Sequence, residues 1–423
     1  MSRPRSTRTV LFCRPHPPNA PGPLTDVCGR PMAAHALSGT DCDEVLVVGA
    51  DEETAARLRD LDGRCEPWRG RTAGALRSAD RAIVLMLRAD APLLTAESVE
   101  RLLAPLREGR YAAARLGAAW AFAGDVLDSV LDDPALDDHA LDDPALGDPG
   151  EVPAAVAKLL EASGVPVAAP EPEPGDGLTV TGQPELAAAR RAMRDRIVRL
   201  RMSEGVTVLD PETTWIGADV VVRPGATLLR NTELTGGTVV ESGCTIGPDC
   251  TLIGTTVGAG TRIRSSTCEN VAIGADNDVG PYTYLRGGTR SGRGVIMGSF
   301  AHIKATVIGD DSKVPHFAYL GDAEIGARCN LSGFTGTVNH DGVRAHRTTI
   351  GDDVMIGAGT AMVAPISIGG GAYTAAGSLL TKDVPPGALA MTRVRQRHIE
   401  DWVESTMPDS PAARTVRGLR VGE

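Results

Sequence analysis

The sequence predicts two domains of different class, an α/β domain followed by a parallel β-helix. Three observations support this: the first ~125 residues alternate short apolar runs with helical patterns, an acidic segment follows, and from about residue 206 apolar residues recur six apart. A period of six fits neither an α-helix nor a simple strand. It is typical of a solenoid whose coil has three short sides. With 423 residues the chain is long enough for two or three domains.

The α/β domain is predicted over residues 1–125. Apolar runs that suit buried strands alternate there with amphipathic patterns that suit helices. The strands are predicted at 9–13, 44–50 and 82–87, and the helices at 51–61 and 96–109. This order favours a parallel sheet.

An acidic insert is predicted over residues 126–180. Residues 125–176 hold fourteen Asp and Glu against a single lysine, and residues 131–149 read "LDDPALDDHALDDPALGDP". Repeated Asp, with Pro interrupting every turn, cannot bury enough apolar surface to fold. We therefore expect a solvated linker, with a recognition tail as the alternative. A linker helix is predicted next, at 181–205, and it ends at Gly205.

The β-helix is predicted over residues 206–388, with a C-terminal tail at 389–423. Glycine often follows the inward-pointing aliphatic residue, as a tight corner with positive φ requires. The six-residue spacing is interrupted between residues 331 and 350, which predicts a loop on the solenoid, where binding groups tend to lie. The apolar positions that keep the spacing are Ile216, Val222, Leu228, Leu234, Val240, Ile246, Leu252, Ile350, Ile356, Met362, Ile368, Thr374 and Leu380.

Composition excludes several classes of function. The net charge of −11 gives no general case for binding nucleic acid. The eight cysteines form no CxxC pair, which argues against a zinc ribbon or a disulfide framework. The N-terminal apolar run is too short for a signal peptide, and no stretch approaches a membrane span. We expect a cytoplasmic protein with no membrane or nucleic-acid partner.

Five stretches resemble one family. The chain is similar to the linker helix and acetyltransferase half of the bifunctional N-acetylglucosamine-1-phosphate uridylyltransferase/glucosamine-1-phosphate acetyltransferases. The resemblance implies a left-handed hexapeptide-repeat β-helix, a homotrimer, and acetyl-CoA as co-substrate with no metal needed for acetyl transfer. The matching stretches are "GVTVLDPETTWIG" (205–217), "GPYTYLRGG" (280–288), "HFAYLGDAEIG" (316–326), "IGDDVMIGAGTAMVAPISIG" (350–369) and "ALAMTRV" (388–394).

At the N-terminus the resemblance implies a truncated, degenerate nucleotidyltransferase-like domain. The family begins with a Gly-rich loop whose N–H groups bind nucleotide phosphates. This chain has "LFCRPHPPNAPGPLTDVCGRPM" (11–32) instead, whose prolines lack those N–H donors. Gly22 stands in place of a family lysine, whereas Asp90 matches a family metal carboxylate. We expect that uridylyl transfer is lost.

The resemblance assigns an acetyl-transfer site. His316 matches the family's general base, a role that suits an imidazole because it titrates near neutrality. Asn339 matches an asparagine near the acetyl group, and Gly333 falls where a backbone N–H meets the acetyl carbonyl. The remaining matches are Arg286 and Lys304 for phosphate, Tyr319 and Asn330 for sugar and phosphate, and Ala358, Ala376 and Arg393 for coenzyme A.

Departures from the family pattern surround the predicted acceptor pocket. Phe334 is an added bulky residue, His340 replaces a tyrosine, Ala345 a lysine and His302 a glutamate, and Pro315 precedes the base. We therefore expect an amine acceptor, either an amino-sugar 1-phosphate or a different amine of specialised metabolism. A non-catalytic scaffold or regulator is a second alternative. A zinc hydratase is a third, because His302, His316, His340 and His346 could in number supply zinc ligands.

Overall fold

A computed structural model describes residues 6–14, 16, 20–42, 44–79, 82–132, 151–392 and 396–421. Its first part is an α/β domain, as predicted. The elements of this domain are β1 (Thr7–Phe12), β2 (Asp26–Val27), β3 (Arg30–Pro31), α1 (Met32–Leu37), β4 (Val45–Val48), α2 (Glu52–Leu61), β5 (Cys65–Pro67), α3 (Thr72–Leu76), β6 (Ile83–Arg88), α4 (Ala96–Arg107), β7 (Ala113–Leu116), β8 (Ala119–Ala123), α5 (Gly124–Leu131), α6 (Val152–Ala162) and β9 (Val167–Ala168).

The N-terminal sheet has seven strands in the order β5-β4-β1-β6-β8-β7-β9. Its central strands β1 and β6 are each buried at five of their six positions, because both of their faces are covered. The sheet is mixed rather than wholly parallel, since β8 runs antiparallel to both β6 and β7. Only Gly117 and Ala118 separate β7 from β8, which is enough for a hairpin but far too short for a parallel crossover.

Part of the predicted insert belongs to this domain. Helix α6 buries Val152, Val156 and Leu160, and β9 pairs with β7 at the sheet edge. Residues 151–168 are therefore folded onto the N-terminal domain and do not form a solvated linker. The Asp-Pro repeat itself falls almost entirely at 133–150, outside the described residues.

The predicted linker helix is α7 (Gln183–Ser203). It begins with Pro184 in its first turn, where the missing N–H costs nothing. Leu186, Ala189, Met193 and Ile197 repeat at three- and four-residue intervals and are buried against the first coils of the solenoid. The helix therefore joins the two domains through one apolar face.

The second domain is a parallel β-helix, which confirms the predicted class. Its strands are β10 (Thr207–Val208), β11 (Trp215–Ile216), β12 (Val221–Val222), β13 (Thr227–Leu228), β14 (Thr232–Thr235), β15 (Val239–Val240), β16 (Thr245–Ile246), β17 (Cys250–Ile253), β18 (Thr256–Val257), β19 (Arg262–Ile263), β20 (Thr267–Glu269), β21 (Ala272–Ile273), β22 (Asp278–Val279), β23 (Tyr284–Arg286), β24 (Arg290–Ser291), β25 (Ile296–Ser299), β26 (His302–Lys304), β27 (Val307–Ile308), β28 (Lys313–His316), β29 (Tyr319–Gly321), β30 (Ala323–Ile325), β31 (Asn330–Leu331), β32 (Gly336–Val338), β33 (Thr348–Ile350), β34 (Met355–Ile356), β35 (Ala361–Val363), β36 (Ile366–Ile368), β37 (Tyr373–Thr374), β38 (Leu379–Leu380) and β39 (Leu389–Ala390).

From β10 to β38, successive strands pass to three different sheets, and every third strand returns to the same sheet, whereas β39 pairs with β37. All thirteen positions of the six-residue pattern are buried, so each short side contributes one inward side chain. This is the geometry of a triangular coil, consistent with the left-handed hexapeptide-repeat form. After the solenoid come α8 (Trp402–Thr406) and α9 (Pro411–Val421).

Two further findings concern the cysteines and the possibility of a membrane span. All eight cysteines are free thiols. Within the described ranges, no helix combines the length and the apolarity needed to cross a membrane.

Candidate active site

The first part of the site lies on the outer face of the ten-stranded sheet, where register aligns three rings. Tyr284, His302 and Tyr319 stand directly opposite one another on β23, β26 and β29. Their ring centroids are 5.1 and 5.4 Å apart. Two residues further along, Arg286 lies opposite Lys304. Residues two apart in a strand share a face, so the two cations lie beside the three rings.

The two cations are available for an anion. Among the described side chains, neither Arg286 nor Lys304 forms an ion pair, and both are half-buried. The carboxylate of Glu269, on the neighbouring strand β20, accepts a hydrogen bond of 2.8 Å from the Tyr284 hydroxyl. That bond raises the pKa of Tyr284 above its ordinary value. A guanidinium beside an ammonium is a common arrangement for holding a phosphate.

His302 adds no negative charge to this row. Burial, followed by the neighbouring Arg286 guanidinium, lowers the pKa of the His302 imidazole. Its Nε2 is buried and has no hydrogen-bond partner within the described part of the chain. The ring is therefore neutral near pH 7, and it does not neutralise the cations as a glutamate at the same position would.

His316 lies at the adjoining corner, where β28 ends and the chain turns into β29. Its imidazole is exposed to solvent. A Cβ atom added to Gly333 would lie 2.8 Å from Cδ2 and 3.2 Å from Nε2 of that imidazole. Glycine at position 333 therefore leaves the space that the ring occupies. The Gly333 carbonyl accepts from the Gly359 N–H at 2.9 Å, while the Gly333 N–H has no partner within the described residues.

Tyr319 and Asn339 meet above another glycine. A Cβ on Gly321 would lie 2.7 Å from both the Tyr319 hydroxyl oxygen and the Asn339 Nδ2. Asn339 is 8% exposed, and its amide donates to the carboxylate of Asp322 at 2.6 Å. Sequence reasoning missed Asp322, which fixes Asn339 beside the hydroxyl of Tyr319.

The predicted loop is observed at residues 339–347, between β32 and β33. Asp341 organises it by accepting from the N–H groups of Val343 and Arg344, both at 2.8 Å, and by contacting His346 Nε2 at 2.6 Å. These bonds hold the pKa of Asp341 below its ordinary range. The His340 ring accepts from the Gly342 N–H at 3.1 Å.

The histidines do not assemble as zinc ligands. His340 and His346 form hydrogen bonds within their own loop. His302 lies on the ten-stranded sheet, beside the ring of Tyr284. In the described ranges, no three His, Cys, Asp or Glu side chains come close enough to hold a metal ion. The zinc alternative therefore has no ligand set among the described residues.

The predicted coenzyme A contacts follow His316 along the same corner. Gly333, Ala358 and Ala376 occupy it on successive coils, and the bonds from Gly359 N–H to Gly333 and from Gly377 N–H to Ala358 hold these coils together. Ala358 and Ala376 are exposed. Arg393 lies outside the described residues.

Asn330 stands apart from Arg286 and Lys304. It lies on β31 in the eleven-stranded sheet, and its amide Nδ2 contacts the Met355 sulfur at 3.1 Å. The structure thus brings Arg286, Lys304 and Tyr319 together on one side of the corner and places Asn330 on the other.

One feature of the corner was not predicted. Tyr282, Phe300, Phe317 and Phe334 form a continuous stack of rings, called here the aromatic ladder. Their spacing of 17 or 18 residues, one coil, was the signal in the sequence that could have revealed it.

In the N-terminal domain, the carboxylate that the resemblance matches to a family metal ligand, that of Asp90, already has a partner. Arg88 binds Asp90 through two hydrogen bonds of 2.9 Å, and each side chain is only 11% exposed. Glu151 also pairs with Arg88, at 3.2 Å. A metal ion at Asp90 would have to displace a buried guanidinium.

Comparisons with known proteins support the resemblance. No family model matches the chain. The chain is similar to the curated "Bifunctional protein GlmU" of Streptomyces avermitilis, with 44% identity over 241 residues, or 56% of this chain and 49% of that protein. The corresponding protein of Corynebacterium aurimucosum is 42% identical over 245 residues, 58% of this chain and 50% of that protein. The chain spans about half the length of the curated relatives it matches.

Solved structures resemble each part of the chain more distantly. A 4-diphosphocytidyl-2C-methyl-D-erythritol synthase from Anaerococcus prevotii is 12% identical, with a TM-score of 0.35 over 45% of this chain and 100% of that one. A UDP-N-acetylglucosamine acyltransferase from Campylobacter jejuni is 18% identical, with a TM-score of 0.28 over 49% of this chain and 90% of that one. At such TM-scores neither likeness bears on function.

Proposed function

We propose that the chain is an acetyl-CoA-dependent N-acetyltransferase whose acceptor is an amino-sugar 1-phosphate or a related phosphorylated amine. One observation carries the proposal: Arg286 and Lys304, without ion-pair partners among the described residues, lie beside Tyr319, one corner away from the contact between His316 and Gly333. An anion-binding row next to a general base and a free N–H donor is the set of groups that acetyl transfer to a phosphorylated amine requires.

In the proposed mechanism, Arg286 and Lys304 bind the acceptor phosphate, and the hydroxyl of Tyr319 orients the sugar. The amine nitrogen then attacks the thioester carbonyl and forms the C–N bond. His316 takes the proton that the amine loses, and the Gly333 N–H stabilises the charge that develops on the carbonyl oxygen. When the C–S bond breaks, the imidazolium returns the proton to the leaving thiolate. The exposed small residues Ala358 and Ala376 leave room for the arm of coenzyme A.

We also propose a homotrimer. His316, Ala358 and Ala376 line an open corner, so that one solenoid alone encloses neither co-substrate. A neighbouring copy would supply the second wall, as the resemblance implies.

We propose, further, that uridylyl transfer is lost. The prolines of residues 11–32 remove N–H donors from the segment that corresponds to the phosphate loop. The buried pair of Arg88 and Asp90 supports the same conclusion, because it engages the carboxylate that a metal would need.

A different amine acceptor is the second candidate. It is favoured by the neutral His302 in the acceptor row and by Ala345, which is exposed in the 339–347 loop where the family has a lysine. A non-catalytic scaffold would show no turnover, and this distinguishes it from both candidates.

The test is a coenzyme A release assay with glucosamine 1-phosphate and, as a matched control, glucosamine without the phosphate. We expect turnover that depends on the phosphate. Turnover of unphosphorylated amines alone would favour the second candidate, whereas coenzyme A binding without turnover on any amine would favour the scaffold.

A further inference from the structure

The aromatic ladder stacks four rings along one corner of the solenoid. The centroids of Tyr282, Phe300, Phe317 and Phe334 follow one another at 5.4, 5.0 and 5.1 Å, with interplanar angles of 19°, 18° and 9°. All four residues are exposed. A stack of exposed aromatic rings is not needed for the core, which is filled by other side chains.

Each of these residues also has a positive φ. The values are 60° for Tyr282, Phe300 and Phe334, and 47° for Phe317. Bulky side chains rarely adopt this region, and strained backbone tends to occur at functional sites. Glycine would suit these positions better, and glycine does occupy the same corner on the following coils, as Gly359 and Gly377.

The ring faces point along the solenoid axis. One ring is present per coil, and the centroid spacing is close to the ~4.8 Å between neighbouring strands, so the rings stack with little offset. Phe334 is the last ring, because Gly359 on the next coil has no side chain to cover it. This is why Phe334 is 71% exposed, the highest fraction in the ladder.

The ladder runs directly beside the site. Phe334 follows Gly333 in the chain, and Phe317 follows His316. On the proposed function, the arm of coenzyme A passes over Ala376 and Ala358 and delivers its thioester carbonyl to the N–H of Gly333. An acyl chain that continued in the same direction would then meet the open face of the Phe334 ring.

We infer that Phe334 is a specificity-determining residue that limits the acyl donor to acetyl. The inference rests on the proposed function. The three rings behind Phe334 prevent it from moving along the axis, because each coil is already filled. Acetyl ends before the ring, whereas each further carbon of a propionyl or butyryl group would have to overlap it.

The test measures binding of coenzyme A, acetyl-CoA, propionyl-CoA and butyryl-CoA by titration calorimetry, which needs no acceptor. We expect the parent to bind butyryl-CoA at least ~10-fold more weakly than acetyl-CoA, since even one misplaced methylene is worth about that much. Phe334→Gly should bind the two within about threefold. Glycine suits a φ of 60°, so this variant should fold, as a melting curve and light scattering will show.

Tyr282→Ala is the matched control, because it removes a ring from the far end of the same ladder. It should keep the parental preference for acetyl-CoA. The inference is overturned if the parent binds all three thioesters equally, if Phe334→Gly keeps the preference, or if Tyr282→Ala loses it to the same extent. A change of assembly state in Phe334→Gly would also overturn it, in favour of an interface role for the ladder. Failure to bind any coenzyme A derivative would overturn the proposed function together with the inference.

Discussion

The imidazole of His316 is placed by the absence of a side chain at position 333. The ring lies against the Gly333 backbone, whose N–H it leaves uncovered. Because the imidazole is exposed, it contributes little to packing, and its removal should affect chemistry rather than folding.

We therefore predict that His316→Ala lowers turnover by about 10²–10⁴ while coenzyme A affinity and the melting temperature stay close to those of the parent. Saturating kinetics and an unfolding curve measure both properties. A structural histidine would give the reverse pattern, with lower stability and unchanged turnover per folded molecule.

Gly333→Ala tests the contact between Gly333 and the imidazole of His316 by changing the glycine. The added methyl would come within 2.8 Å of the imidazole and should push the ring away from its position. We expect a lower kcat, with the acceptor KM nearly unchanged. Gly336→Ala is the control, since a Cβ at that position has no neighbour closer than 4.0 Å.

His302→Glu tests whether the positive charge of Arg286 and Lys304 is needed to bind the acceptor. A carboxylate opposite Tyr284 and Tyr319 would pair with Arg286 or Lys304 and compete with the acceptor phosphate. We predict that the acceptor KM rises about tenfold or more, in line with a displaced charge-assisted bond. His302→Gln, which stays neutral, should leave the KM within a few-fold of the parent. Equal effects of the two substitutions would exclude an electrostatic role.

At the scale of elements, the 339–347 loop depends on one carboxylate. The folded-state pKa of Asp341 is depressed, so its stabilising bonds are present above the unfolded pKa of about 4 and are lost as pH falls through the lower folded value. At neutral pH they are fully formed.

We predict that Asp341→Ala loosens this loop without unfolding the solenoid. Amide hydrogen exchange at Val343 and Arg344 should speed up by tenfold or more, since each loses its acceptor. Protection of the amides in β29 and β35 should not change. General loss of protection across the solenoid would show that the loop is part of the domain's core.

The strands marked by the six-residue apolar period could be predicted from the sequence. Contacts that depend on how many residues each coil contains could not. The six-residue pattern placed all thirteen inward residues correctly, because one side chain per short side must point inward. The aromatic ladder escaped prediction because it depends on which residues meet 17 or 18 positions apart. The antiparallel strand β8 escaped because its short apolar run of alanines and aromatics, "AWAFA", suits a buried helical segment as well as a strand.

At the scale of the whole molecule, the two domains differ in how the predicted site residues are placed. The acetyl-transfer residues that the resemblance assigned lie around one corner, apart from Arg393, which lies outside the described residues. In the N-terminal domain, Asp90 is engaged by Arg88. The sequence predicted a lost phosphate loop, but it did not predict this pair, which forms between Arg88 at the end of β6 and Asp90 two residues later.

We predict that the protein releases no pyrophosphate from UTP and a sugar 1-phosphate in the presence of magnesium. The missing N–H donors and the occupied Asp90 both oppose nucleotide binding. Release above a no-enzyme control would contradict the prediction, and an enzyme of established uridylyltransferase activity serves as the positive control.

Several coils of the solenoid separate the residues around His316 from α7 and the N-terminal domain. A solenoid coil contacts only its neighbours, so a disturbance fades from coil to coil. In the ten-stranded sheet, β23 is separated from β11 by β14, β17 and β20, and these coils act as a buffer. Substitutions can therefore accumulate in the N-terminal domain without reaching the residues around His316, and a chain built in this way can change one domain while the other keeps its structure.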